Sequence, residues 1–170
     1  MSSLAETAPA FVEVAHRIVW ATLATVDRRG RPRSRLVHPM WEWDGERLVG
    51  WVGSAVTPMK LAHLERTPYV SLNYWDPEHD VATAECRAKL LLDDKSCAEL
   101  WEKFKAMPAP VGYDPADIPM WKDGPTSPLF GALRLDPWRL RVFPAVFGRT
   151  EGAEGEILTW KSDSNSAPDT

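Results

Sequence analysis

The chain has 170 residues and a formal net charge of −4, and 44% of its residues are hydrophobic. This length suits one domain with its own core, and the acidic balance argues against nucleic acid or an anionic membrane as the main partner. No apolar run reaches the length of a membrane-spanning helix, and no basic leader is visible. Cys86 and Cys97 form no CxxC pair, which is typical of a cytoplasmic protein with free thiols.

The first part of the chain predicts one helix followed by β-hairpins. Residues 1–14 are acidic and then apolar, which indicates a short amphipathic helix. Residues 19–26 are β-branched and apolar and predict a buried strand. After a turn, residues 31–43 predict a second strand, and Asp44-Gly45 is a two-residue hairpin signal before a third strand over residues 47–52.

A short helix is predicted to begin at Thr57-Pro58 and to stop near Thr67-Pro68. Thr57 suits the N-cap, and Pro58 suits the first helical position, where its missing N–H costs nothing. Lys60 is unusual because the helix dipole disfavours a cation in the first turn. The interaction becomes favourable if an anion lies over the first turn of the helix. A solvated surface lysine and a phosphate site are both compatible with this pattern.

The second part of the chain predicts a helix and several strands. The strands cover residues 69–75, 81–92, 129–135, 138–147 and 157–161. The helix, residues 95–106, has an apolar stripe at Cys97, Leu100, Trp101 and Phe104. The proline-rich residues 107–128 predict an ordered loop, because Tyr113, Ile118, Met120 and Trp121 need burial.

Strands in hairpin order with inserted helices predict a mainly β (α+β) fold. We expect six to seven strands in a closed antiparallel barrel with covering helices. A single domain is expected over residues 1–161, and the polar residues 162–170 predict a disordered tail. No GxGxxG follows a strand, so a doubly wound fold is not expected.

Most catalytic motifs are absent from the sequence. No HExxH or paired-cysteine pattern indicates a metal site, and there is no GxSxG elbow or P-loop. A basic strand remains as a candidate site. Arg31, Arg33 and Arg35 alternate along one predicted strand, so their side chains share a face. Such a face is either a solvated charged edge or, together with Lys60, a phosphate site.

A second feature of that strand is His38-Pro39. Proline cannot donate to a β-ladder, so this point must be a sheet edge, a bulge or a place where a ligand approaches the backbone. The neighbouring Trp41, Trp43 and Trp51 are compatible with an apolar wall for an aromatic ring system and with ordinary core.

Two segments carry a family resemblance: ATLATVDRRGRPRSRLVHPMW (residues 21–41) and TPMKLAHLERTPYVSLNYW (residues 57–75). Their motifs, in this order, resemble the pyridoxamine 5'-phosphate oxidase-like family of FMN-binding split barrels. The resemblance covers about residues 11–92. It implies a split barrel, a homodimer with flavin sites at the subunit interface, and a small-molecule substrate.

The resemblance also implies a site. The implied cofactor-binding residues are Arg33, Arg35, Leu36, Val37, His38, Trp51, Ser54, Thr57 and Lys60. Arg35 and Lys60 would hold the phosphate of FMN, with a hydroxyl from Thr57 and support from Arg33. Backbone at residues 36–38 would face the ring. No catalytic acid or base is implied.

Several positions depart from the oxidases of this family. Met40 stands where oxidases have a lysine, Pro58 and Met59 replace a serine and an arginine, and no Arg-Leu-His segment follows Phe143. These departures argue against oxidation of pyridoxamine phosphate and favour a flavin or deazaflavin reductase. The expected function is therefore a cytoplasmic FMN-binding oxidoreductase. The alternatives are a deazaflavin-dependent reductase, a non-catalytic flavin- or haem-binding protein, and a structural dimer with an empty barrel.

Overall fold

The computed structural model describes residues 1–144 and 156–162. The helices of these residues are α1 (Leu4–Ile18), α2 (Pro58–Arg66) and α3 (Asp94–Ala106). The strands are β1 (Ala21–Val26), β2 (Pro32–Val37), β3 (Pro39–Trp43), β4 (Leu48–Ala55), β5 (Tyr69–Trp75), β6 (Val81–Leu91), β7 (Phe130–Phe143) and β8 (Leu158–Lys161). All strand pairs are antiparallel, in the order β2-β1-β5-β6-β7-β4-β3 with β8 on β7. The mainly β, α+β barrel predicted from the sequence is confirmed.

The barrel is split between β2 and β3, which follow each other in the chain but lie at opposite ends of the strand order. The prediction of one strand over residues 31–43 is therefore wrong. Val37 is the last β2 residue opposite β1, whereas Pro39 already pairs with Val52 of β4. Because Pro39 cannot donate to a ladder, the chain changes its partner strand at His38. Among the described strands, the barrel is accordingly open at this point, which confirms the split barrel implied by the family resemblance rather than a fully closed one.

The predicted break at Asp136-Pro137 is also wrong, since β7 runs through both residues. The register against β6 shifts here: Cys86 lies opposite Pro137, but its neighbour Glu85 lies opposite Arg139. A bulge of one residue thus accommodates the proline without ending the strand. Residues 145–147 of the predicted strand lie outside the described residues, and so do residues 163–170 of the predicted tail.

The core has two apolar clusters. The first lies between α1 and the sheet, where the indole N–H of Trp41 donates to the Tyr74 hydroxyl at 2.8 Å. The ring of Phe11 meets Trp41 edge-to-face, with 4.9 Å between centroids. The helix α1 extends four residues beyond its predicted end, to Ile18, and its buried face covers this cluster.

The second cluster lies under α3 and the following loop. The predicted stripe of α3 is confirmed, because all four of its residues are buried. In the loop, two short 3-10 turns place Trp121 in the cluster, with Tyr113 and Ile118 packed against it. The predicted burial of Met120 is wrong, since its side chain is exposed.

Among the residues that the structure describes, no helix is both long and apolar enough to cross a bilayer.

Candidate functional site

A cavity of about 730 Å³ opens where α1, β2, β4, α2 and the loop after α3 meet. Its volume lies in the range of small-molecule and cofactor pockets. Six of the nine residues implied by the family resemblance line it: Arg35, Leu36, Val37, His38, Ser54 and Lys60. The structure therefore brings together residues from β2, β4 and α2, and His38 between β2 and β3, that the sequence separates by up to 25 positions.

The side chain of Lys60 turns from the first turn of α2 towards β4. As predicted, Thr57 is the N-cap, and its hydroxyl accepts the backbone N–H of Lys60 at 3.3 Å. The Lys60 ammonium donates to Ser54 Oγ at 2.6 Å and to the carbonyl of Ala55 at 2.7 Å. Burial, and then the charge of Arg35, lower the pKa of Lys60 to about 8.

Arg35 supplies the second cation of the cavity. Its Nη1 donates to Thr25 Oγ1 at 2.7 Å. Burial lowers the pKa of this guanidinium, and the charge of Arg33 lowers it further. Within residues 1–144 and 156–162, neither Arg35 nor Lys60 pairs with a carboxylate. Two half-buried cations without an acidic partner form an environment that favours a bound anion.

Three of the implied residues lie outside the cavity wall. The hydroxyl of Thr57 is engaged in capping α2, and Arg33 is exposed, with its carbonyl 3.4 Å from Arg35 Nη1. Trp51 lies on the opposite face of β4 from Ser54, where its indole N–H donates to Glu42 at 2.8 Å. The structure thus separates Trp51 from the residues that were expected beside it.

The other half of the cavity is aromatic and was not predicted as part of the site. Trp20, Tyr113 and Trp121 line it, and they come from the segment after α1 and from the loop after α3. The ring of His38 lies between Trp20 and Tyr113, with centroid distances of 5.2 and 4.8 Å. The sequence predicted only that the aromatic side chains of the loop are buried. It did not predict that they lie at the cavity.

His38 also contributes an unusual polar atom. Its Nε2 is buried and has no hydrogen-bond partner among the described residues. Burial lowers the pKa of His38, although a hydrogen bond with the backbone of Val111 opposes that shift. This nitrogen, without a partner in the described part of the chain, lies beside the aromatic rings of Trp20 and Tyr113. The cavity as a whole therefore offers two cations for an anion and aromatic side chains for a planar apolar group.

Comparisons with solved structures give the same fold. A Clostridium acetobutylicum protein related to general stress protein 26 of Bacillus subtilis is 15% identical, with a TM-score of 0.66 over 93% of this chain and 94% of that chain. A pyridoxamine 5'-phosphate oxidase-related, FMN-binding protein from Nostoc punctiforme is 17% identical, with a TM-score of 0.55 over 79% and 82%. An F420 reductase is 18% identical, with a TM-score of 0.51 over 75% and 93%.

At these identities the structural likeness concerns the fold alone. No protein of curated function matches the chain. The sequence model of the pyridoxamine 5'-phosphate oxidase family, in contrast, matches residues 7–142, from the first turns of α1 almost to the end of β7. This match spans most of the chain and includes every residue of β2 and α2 that lines the cavity. The chain therefore belongs to the pyridoxamine 5'-phosphate oxidase family.

Proposed function

We propose that this protein is an FMN-binding oxidoreductase that holds the cofactor phosphate with Arg35 and Lys60. The main support is the pair of half-buried cations at one end of the cavity, whose burial and mutual repulsion lower the pKa of Lys60 to about 8. A phosphate dianion between them offsets both costs. Arginine suits two phosphate oxygens at once, and lysine acts as a point charge.

The remaining walls suit the flavin ring. Among the described strands, β2 pairs only with β1, so alternate backbone groups of this strand have no strand partner. Leu36 and Val37 of β2 line the cavity together with Trp20 and Tyr113. A flavin ring has apolar faces, which suit the aromatic side chains, and a polar edge, which suits the backbone groups of β2 that have no strand partner.

Bound FMN would supply hydride transfer to a small-molecule substrate, and the chain would bind it, orient it and exclude water. Ser54 and the Ala55 carbonyl hold the Lys60 ammonium in place. Burial raises the pKa of Tyr113 to about 12, and its phenol is a hydrogen-bond donor at the cavity wall. We assign no catalytic acid or base.

We also propose that the protein is a homodimer. Three large apolar side chains lie exposed along one surface: Trp20 (58%), Leu36 (74%) and Trp75 (53%). The register places Leu36 opposite Thr22 and Thr22 opposite Asn73, so β2, β1 and β5 share this face. A patch of this kind is typical of an interaction surface. A second subunit there would also cover Trp20 and Leu36 at the cavity. A cytoplasmic location is proposed as well, in keeping with two free cysteines.

The test is to identify the cofactor that co-purifies and to titrate the protein with FMN, riboflavin and the deazaflavin coenzyme. We expect one FMN per chain and affinity for riboflavin lower by about tenfold or more, because riboflavin lacks the phosphate. Sedimentation of the same samples gives the mass of the dimer. FMN binding without reduction by NADPH or reduced deazaflavin would indicate a non-catalytic carrier, and the absence of any cofactor would indicate a structural role.

A second candidate is a deazaflavin-dependent reductase. The structural likeness to an F420 reductase suggests this candidate. Binding of the deazaflavin coenzyme but not of FMN would replace the first candidate with this one.

The affinity for FMN is expected to fall as the pH rises above about 8. Lys60 has its pKa lowered to about 8 in the free protein, and a bound phosphate stabilises the ammonium and raises that pKa. Binding therefore takes up a proton between the two values, and the Kd increases by up to about tenfold per pH unit there. Below about pH 7, where Lys60 is charged in both states, the affinity is flat down to the phosphate ionisation near pH 6.

Fluorescence titrations of FMN across this range measure the effect. Riboflavin provides the control, since it has no phosphate and should show no such slope. Lys60→Arg should flatten the FMN profile, because arginine stays charged throughout. A flat profile for the unaltered protein would contradict the placement of Lys60 at the phosphate.

A further inference from the structure

We propose that Thr25 and His63 position Arg35 for the cofactor phosphate, an inference that rests on the proposed function. The three side chains form one continuous hydrogen-bonded chain from three elements, β2, β1 and α2. Arg35 Nη1 donates to Thr25 Oγ1 at 2.7 Å, and Thr25 Oγ1 lies 3.1 Å from His63 Nδ1. Thr25 is 1% exposed and His63 is 7% exposed, whereas Arg35 reaches the cavity wall.

The direction of each hydrogen bond follows from the chemistry of the groups. A guanidinium can only donate, so Thr25 Oγ1 accepts from Arg35. The single hydroxyl hydrogen of Thr25 is then free to donate to His63 Nδ1, which requires the neutral imidazole with its proton on Nε2. The opposite arrangement leaves the hydroxyl hydrogen without a partner among the described residues. His63 therefore orients the hydroxyl, and the hydroxyl orients the guanidinium.

The hydrogen bonds among His63, Thr25 and Arg35 use only one nitrogen of the guanidinium. Nη1 contacts Thr25 and the carbonyl of Arg33, while Nε and Nη2 form no hydrogen bond within the part of the chain that the structure describes. Two donors on one edge of the guanidinium are thus left for an anion, in the geometry that matches two phosphate oxygens.

The hydrogen bonds from His63 through Thr25 also link the two cations, Arg35 and Lys60. His63 follows Lys60 by three residues on α2, so both side chains leave the same face of one helix. Through Thr25, that helix holds Arg35 of β2 as well as its own Lys60. The separation between the guanidinium and the ammonium is therefore set by packed and buried groups rather than by two flexible side chains.

The test compares FMN with riboflavin, which shares the ring but lacks the phosphate. Thr25→Val keeps the shape of the side chain and removes the hydroxyl. We expect it to weaken FMN binding by about 5- to 50-fold, somewhat less than the loss of a whole charge-assisted contact because Arg35 itself remains, with less than about a twofold change for riboflavin. Thr25→Ser should restore the preference for FMN. Thr159→Val, on β8 and outside the cavity lining, is the matched control.

A double-mutant cycle shows whether Thr25 acts through Arg35. In an Arg35→Ala background, Thr25→Val should cause no further loss of FMN affinity, because the group that it positions is gone. At the His63 end of these hydrogen bonds, His63→Leu should reduce the preference for FMN over riboflavin. His63→Asn should retain most of that preference, since its amide oxygen can take the place of Nδ1. Urea midpoints for each variant show which of them are folded.

A purely structural role gives a different result. If Thr25→Val and His63→Leu weaken FMN and riboflavin by the same factor, or if the effects of Thr25→Val and Arg35→Ala add, the positioning role is wrong. If the unaltered protein itself does not prefer FMN over riboflavin, the proposed phosphate site fails instead. If Arg35→Ala removes the preference and Thr25→Val keeps it, only the positioning role is excluded.

Discussion

Lys60→Ala is expected to weaken FMN binding by about 10- to 150-fold, corresponding to the loss of a charge-assisted contact of about 1.5–3 kcal/mol. The ammonium is half-buried and held by Ser54 and the carbonyl of Ala55. It is therefore already positioned before any anion binds, and its contribution is not reduced by the ordering of a flexible side chain. Riboflavin binding should change little, because the effect is confined to the phosphate. Titration of both flavins against the variant measures the difference.

Arg66→Ala is the matched control for this variant. Arg66 lies on the same helix at its exposed C-terminal end and does not line the cavity. We expect its FMN affinity to stay within about twofold of the unaltered protein, as for a surface charge screened by salt. An unchanged FMN affinity in Lys60→Ala would remove Lys60 from the site and leave the lysine as a half-buried structural cation.

Phe104→Ala is expected to lower the free energy of unfolding by about 3–5 kcal/mol, the usual effect of removing a buried aromatic ring. Phe104 lies on the buried face of α3 and is completely buried. Its ring centroid lies 4.8 Å from that of Tyr113 and 6.1 Å from that of His38, so the lost ring supports the aromatic wall of the cavity. Thermal unfolding should show a melting temperature lower by about 6–20 °C for a chain of this length.

The binding consequence of Phe104→Ala differs from that of Lys60→Ala. FMN and riboflavin should weaken by the same factor, because the wall contacts the ring and not the phosphate. Leu92→Ala, at an exposed leucine, provides the stability control and should change the unfolding free energy by no more than about 0.5 kcal/mol. Phe104→Leu serves if the alanine variant does not fold. A melting temperature unchanged by both substitutions would show that the cluster does not depend on this ring.

The elements that the sequence predicted best have strong local signals. The start of α2 follows from the Thr57 cap and Pro58, both of which the structure confirms. The strand prediction over residues 31–43 treated His38-Pro39 as an irregularity within one strand. A proline at that point instead separates two strands with different partners, and no local rule distinguishes these outcomes, because the partner strands are distant in the chain.

The residues that line the cavity were also only partly predictable from the sequence. Trp51 and Ser54 were both expected at the flavin, but residues three apart on a strand face opposite sides of the sheet. Strand alternation alone could have separated them. Trp20 and Tyr113, in contrast, are 93 positions apart in the sequence, and only the folded chain brings both against the ring of His38. Their shared wall is a tertiary feature, which periodicity and spacing do not report.

The split at His38 has a consequence for motion. Strand β2 has a neighbour on one side only among the described strands, and most of its residues are exposed. Local opening has its lowest free energy in segments of this kind, so the amide hydrogens of β2 should exchange faster than those of the central strands β5 and β6. A flavin along the free edge of β2 would protect them in the way that a neighbouring strand does. An equal exchange rate with and without bound flavin would show that the ligand does not lie along this edge.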